Sequence, residues 1–175
     1  MSQTEIVNPM QRPRLGKVVV NISVGESGEK LQKAMTVLER LTDHKPSQRL
    51  AKKSVRDWGI TKNEPIACMV TLRGEEAIEF LKKGLDAVGN RLSRSSFDVN
   101  GNVSFGIKEH IEIPGVRYDP ALGIFGMDVC IAMEKPGYRV RRKRIRKSHV
   151  GKGQRLTNEE AIGYIRETFG TEIQE

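Results

Sequence analysis

The stretch VVNISVGESGEK, Val19–Lys30, holds a strand-like run, two glycines and a lysine, the ingredients of a phosphate-cradling loop. A loop of that kind needs four residues between its glycines and a Ser or Thr after the Lys to reach Mg²⁺. Here two residues separate Gly25 from Gly28, and Leu31 follows Lys30, so a strand-to-helix turn built on glycine is the better reading. His44, His110 and His149 are far apart and none sits in a metal-ligand motif. His110, beside Glu109 and Glu112, is expected to face outward from its strand. No nucleophile-elbow pattern is present, and Glu75-Glu76 suit the first turn of a helix better than an acid/base pair. Cys68 and Cys130 sit in apolar runs without the spacing of a zinc or redox pair, and read as buried free thiols in a reducing compartment. The expectation is no enzyme, no cofactor and no metal.

The cations carry a stronger signal. The chain has 30 Lys/Arg against 22 Asp/Glu, for a formal net charge of +8. Nine of the cations fall in Arg139–Arg155, which holds no acid; without that segment 21 basic residues face 22 acidic ones. Within the remainder, Lys45–Lys62 carries six basic residues and one acid, and Arg12–Lys17 carries three basic residues and none. Acid-poor islands in an otherwise acidic chain fit a localised phosphate-binding footprint better than a uniformly solvated basic surface. Trp58, the one tryptophan, lies in the second island, where it could stack on a nucleotide or anchor its loop against the domain. The seven charges of Arg139–Lys147 repel one another, so the segment is expected to be mobile alone and ordered by RNA.

These residues must be positioned by an α+β scaffold. Lys17–Val24 alternates, with Val18, Val20, Ile22 and Val24 on one side, as does Ile66–Arg73 with Ile66, Cys68, Val70 and Leu72. Leu31, Ala34, Met35, Leu38 and Leu41 form a helical stripe that Ser27 is placed to cap, and a second helix spans about Glu75–Leu92. Ser47–Ser54 reads as a short charged strand, and Asn100-Gly101 as a turn. Asn102–Ile113 and Ile124–Glu134 read as two long strands around the loop Pro114–Gly123. Thr157 and Glu160 form a capping box for a last helix that Gly170 closes. The sum is one domain over residues 1–175: a single, mostly antiparallel sheet covered by helices on one face. The other face and the loops are then available to RNA, with Asn21, Thr71 and Arg73 on that polar side. The start MSQTEIVNPM has no apolar core for a signal peptide, and no run approaches a membrane span. A soluble, cytoplasmic protein is expected.

Three blocks carry a resemblance. NPMQRPRLGKVVVNISV (Asn8–Val24), KPSQRLAKKSVRDWGITKNEPIACMVTLRGEEAIEFL (Lys45–Leu81) and SFDVNGNVSFGIKEHIEIPGVRYDPALGIFGMDVCIAM (Ser96–Met133) resemble the family of the 5S-rRNA-binding large-subunit ribosomal protein numbered five. KPGYRVRRKRI, at Lys135–Ile145, looks like the archaeal and eukaryotic version, with a basic insert at about 135–155. The resemblance covers nearly the whole chain. It implies a structural constituent of the large subunit that helps attach 5S rRNA in the central protuberance. Asn21, Thr71, Arg73, Lys52, Lys53 and Ser54 would contact 5S rRNA. Arg56, Trp58 and Lys62 would lie in a loop facing the P-site tRNA. Arg117, Tyr118 and Asp119 would form an intersubunit bridge to the small-subunit protein numbered thirteen. Arg139, Arg141, Arg142, Lys143, Arg144, Arg146 and Lys147 would add rRNA contacts, with 23S rRNA and neighbouring 5S-binding proteins as further partners. The family usually carries glutamine after glycine where Asp43-His44 stands here. A free-standing RNA chaperone or regulatory RNA-binding module is the alternative from another class.

Overall fold

A computed structural model describes residues 8–174. The first seven residues, most of the stretch read above as lacking a signal peptide, lie outside that range. In chain order the elements are β1 (Arg14–Ser23), α1 (Glu29–Thr42), β2 (Ser47–Leu50), β3 (Pro65–Leu72), α2 (Glu75–Ala87), β4 (Arg91–Ser93), β5 (Val103–Ile107), β6 (Met127–Glu134), α3 (Arg139–Arg142), α4 (Asn158–Phe169) and β7 (Glu172–Gln174).

Five strands form one antiparallel sheet in the order β2-β3-β1-β6-β5. The period-two pattern explains its polarity. Val18, Val20 and Ile22 of β1 are buried, as are Cys68, Val70 and Leu72 of β3 and Val129, Ile131 and Met133 of β6. They share one core with Leu31, Ala34 and Leu38 of α1, with Ala77, Leu81 and Leu85 of α2, and with Ala161 and Ile165 of α4. All three longer helices therefore cover the same face, as expected, and burying each large aliphatic side chain contributes roughly 1.5–3 kcal/mol. Among the described residues none of these three helices covers the other face; only the short α3 approaches its end, through Arg142 to Glu134.

Several local expectations are corrected. Ser27 does not cap α1: Gly28 occupies the cap position, and the Ser27 hydroxyl donates to Glu64 at 2.7 Å instead. The second helix stops at Ala87, and Leu92 is buried in β4, which pairs in parallel with β7 at the end of the chain. The charged strand before Trp58 ends at Leu50, and the last long strand begins at Met127. The run from Asn102 to Ile113 splits. After β5 the chain tightens into a 3-10 turn over His110–Glu112. Changing the period from two to three puts His110 and Ile113 on one side, so His110 is buried, not surface-facing. Cys130 is exposed, on the helix-free face, whereas Cys68 is buried as expected.

The Asn100-Gly101 turn forms as expected, with the Gly101 N–H donating to the Asp98 carbonyl at 2.9 Å. Only glycine fits there. Its φ is +74°, and a Cβ would lie 2.7 Å from Leu156 Cδ2, against the base of α4. The capping box of Thr157 and Glu160 and the closing Gly170 are both present.

Candidate nucleic-acid interface

The cross-strand register arranges the open face in rows. Asn21 lies across from Met69 on β3 and from Asp128 on β6, and Asp128 lies across from Gly106 on β5. The next row runs Thr71, Val19, Cys130 and Ser104. Beyond it, Lys17 lies across from Ala132, and Arg73 directly follows the end of β3 beside it. In the opposite direction Arg49 of β2 lies across from Ala67, its guanidinium against the Met69 sulfur. The middle rows thus hold amide, hydroxyl, thiol and carboxylate groups, and the cations stand at the ends. Asn21 and Lys17 are four residues apart along one strand, roughly 13 Å. The structure therefore brings Asn21 and Thr71 together in adjoining rows and sets Arg73 at the cationic margin.

This division has a chemical consequence. A phosphate next to Asp128 would be repelled, whereas a ribose hydroxyl or a base amino group could donate to that carboxylate. The Asn21 amide, which donates to the Ser23 hydroxyl at 2.9 Å, leaves its carbonyl oxygen for a second donor. Phosphates suit Lys17, Arg73 and Arg49.

Lys52, Lys53, Ser54, Arg56 and Lys62 are all exposed on the β2–β3 connection. Its base is closed by Ala51 N–H to Glu64 carbonyl at 2.8 Å, and its neck by a bridge between Val55 and Ile60. The Ser54 hydroxyl accepts from the Lys62 N–H at 2.9 Å, so it shapes the loop. Trp58 ends a 3-10 turn and is 75% exposed, which excludes the anchoring role and leaves its ring free to stack.

The loop Pro114–Gly123 is braced by α1 and by a contact of its own. Arg40 of α1 donates to Asp119 at 2.9 Å, and Asp119 also accepts from the Ala121 N–H at 3.1 Å. The Arg40 hydrogen bond, followed by that of Ala121, holds the Asp119 carboxyl below its usual range. Asp119 is thus a scaffold for Arg117 and Tyr118, both exposed. His44 points at Glu76 of α2 at 3.1 Å, bridging the ends of two helices. Lys30, the lysine of the glycine-bearing turn, pairs with Glu26 at 3.0 Å on an exposed surface, as a surface ion pair rather than a phosphate cradle.

Of the basic insert, Arg139, Arg141 and Arg142 lie on α3 or at its start, and Lys143, Arg144, Arg146 and Lys147 follow, all exposed. Arg142 reaches back to Glu134 at 2.9 Å, as does Arg14 at 3.0 Å. Lys135 is buried and donates to Glu160 at 2.7 Å. Asp128 and Ser104 were not singled out from sequence, although the alternation around Val129 and Val103 puts them on the polar face; Cys130, read from sequence as buried, lies there too.

Fold and surface together define a class: an α+β protein with one sheet face packed on helices and the other open, free of cations at its centre and cationic at its margins. Residues 8–61 match the family described as ribosomal protein L5, and residues 65–164 match the C-terminus of the same ribosomal family. The chain is 56% identical over 166 residues to the large ribosomal subunit protein uL5 of Pyrobaculum aerophilum, covering 95% of this chain and 93% of that one. It is 53% identical over 176 residues to uL5 of Sulfurisphaera tokodaii, covering 100% and 99%. With uL5 of Methanosphaera stadtmanae the identity is 48% over 168 residues, covering 96% and 100%. The chain belongs to the ribosomal protein L5 family, a family of structural ribosomal components rather than enzymes. No helix among the described residues is long and apolar enough to cross a membrane.

Proposed function

We propose that the chain is a structural constituent of the large ribosomal subunit that binds 5S rRNA on its open sheet face and helps attach it in the central protuberance. The observation that carries this is the cation-free centre around Asn21, Thr71 and the Asp128 carboxylate, with cations at its ends. Cations alone hold any RNA, whereas hydrogen-bonding groups between them can select one. The β2–β3 loop, with Lys52 and Lys53 at its base and Arg56, Trp58 and Lys62 beyond, offers phosphate contacts and an exposed ring, which supports a contact with P-site tRNA. The braced loop bearing Arg117 and Tyr118 supports the intersubunit bridge to the small-subunit protein numbered thirteen. The basic insert adds rRNA contacts, 23S rRNA among them, and adjoining 5S-binding proteins complete the neighbourhood. Both matched segments contribute strands to one sheet, with β1 between β3 and β6, which supports a single folding unit.

The test is affinity for 5S rRNA against an unrelated structured RNA of equal length, across a salt series. The expected result is tighter binding to 5S rRNA at every salt concentration. Equal binding of both RNAs throughout would overturn the 5S reading in favour of a general RNA chaperone.

A further inference from the structure

The basic insert is a loop whose two ends are tied together. The Tyr138 hydroxyl accepts the Leu156 N–H at 2.9 Å, and the Gln154 amide donates to the Pro136 carbonyl at 3.0 Å. Lys135, beneath them, donates to Glu160 at 2.7 Å and to the Arg155 carbonyl at 3.4 Å. Arg142 clips the loop to β6 through Glu134, and the Ser148 N–H donates to the Val140 carbonyl at 3.2 Å. Held in this way, the loop stands against the end of the sheet and leaves a groove of about 760 Å³ between them.

The groove draws its charge from both walls. Lys17 and Arg73 come from the sheet, and Arg141, Lys147 and Arg155 from the insert. Glu134 is the one acid lining it, and its carboxylate is already held by Arg14 and Arg142. None of those five cations has a carboxylate partner among the described residues. Arg139, Lys143, Arg144 and Arg146 do not line the groove, so the insert has two differently directed sets of charges.

The geometry points to a phosphodiester track: the groove takes the backbone of the same RNA that lies on the open sheet face. Lys17 belongs both to the groove and to the row beside Val19 and Thr71, so the two surfaces share an edge. RNA read by hydroxyl and amide groups around Asn21 and Thr71 passes directly to unpaired cations. Asn100 and Asn102 also line the groove; each amide donates one N–H to Asp98, at 3.2 and 3.4 Å, and keeps the other for a phosphate oxygen. Clefts of this size that take small organic ligands are predominantly apolar, whereas this one sets guanidinium, ammonium and amide groups among Ala132, Met133, Tyr138, Val150 and Leu156. This inference rests on the sheet face being an RNA-binding surface.

Two charge-matched variants of the full chain separate the groove from general attraction. R141Q/K147Q removes two groove cations, and K143Q/R144Q removes two that lie outside it. Each lost phosphate contact lowers the slope of log affinity against log salt by roughly 0.7–0.9. The groove variant should therefore flatten the slope by about 1.4–1.8, and the other variant by less than half as much. Thermal unfolding of both variants, and the single variant R141Q with about half the effect, guard against a folding defect. Equal flattening by the two double variants, or none by the groove variant, overturns the track. Both RNAs are run in parallel. Loss of 5S preference in the unmodified chain counts against the 5S reading alone, because the difference between the two variants is still read on either RNA.

Discussion

Asn21 lies directly across the β1–β6 ladder from Asp128, while Lys17, on the same face of β1, lies across from Ala132. One strand therefore presents an amide beside a carboxylate at one place and an ammonium beside a methyl group roughly 13 Å away. The first pair suits hydrogen-bond donors and repels phosphate; the second suits phosphate and reads no sequence. On the proposed RNA-binding reading, mutation should separate affinity from selectivity on this surface.

Asn21→Ala should lower affinity for 5S rRNA by roughly fivefold, the effect of losing about 1 kcal/mol of hydrogen bonding, with the salt slope unchanged. Lys17→Gln should weaken both RNAs and flatten the slope by about 0.7–0.9. Filter binding across a salt series reads both quantities. A change of slope in the Asn21 variant would contradict the division.

The two thiols report on occupancy of the open face. Burial pushes the Cys68 thiol up to about 11, and the side chain is inaccessible. Cys130 is exposed, with its pKa raised by partial burial and by the Asp128 charge, so it should react slowly but measurably with iodoacetamide. The native protein should take up one equivalent, and saturating 5S rRNA should suppress that uptake. Unaltered labelling of Cys130 in the complex would place the RNA elsewhere.

Trp58 should behave as a free ring. With 75% of its surface exposed, its fluorescence should be that of a solvated indole in the native state. Trp58→Ala should shift stability by no more than about 0.5 kcal/mol. Urea denaturation and emission spectra test this; a blue-shifted native spectrum would restore the anchoring role.

His110 gives the fold a pH dependence of definite sign. Its Nδ1 accepts the Phe125 N–H at 3.3 Å, and its backbone N–H donates to the Phe125 carbonyl at 2.9 Å. Burial lowers the pKa from 6.5, and the nearby Glu109 charge does not outweigh it. A base with a depressed folded pKa binds more protons when unfolded. Its contribution is complete above 6.5 and is lost as pH falls from there towards the lower folded value. The carboxyls held below their usual values, Glu64, Asp98, Asp119 and Glu160, start from 4.5 or 3.8, so the interval from about pH 7 to pH 5 lies above most of their loss, and comparison with His110→Gln singles out this imidazole. Thermal midpoints of the unmodified chain should fall across that interval, and those of His110→Gln should fall less.

The sequence by itself determined the sheet faces, because period-two burial leaves each strand one choice of side: Val18, Val20 and Ile22 inward, Asn21 outward. It also determined α4, whose capping box and closing glycine are local chemistry, and the charge islands, which are composition. Tertiary structure alone decided where runs stop. His110 turned inward because a 3-10 turn replaced the strand period, and the cap position of α1 fell to Gly28, leaving the Ser27 hydroxyl to donate to Glu64, 37 residues away. Only the folded chain showed that Lys17, Arg73 and Arg155 share one groove, because contacts between distant residues follow from packing and no local pattern encodes them.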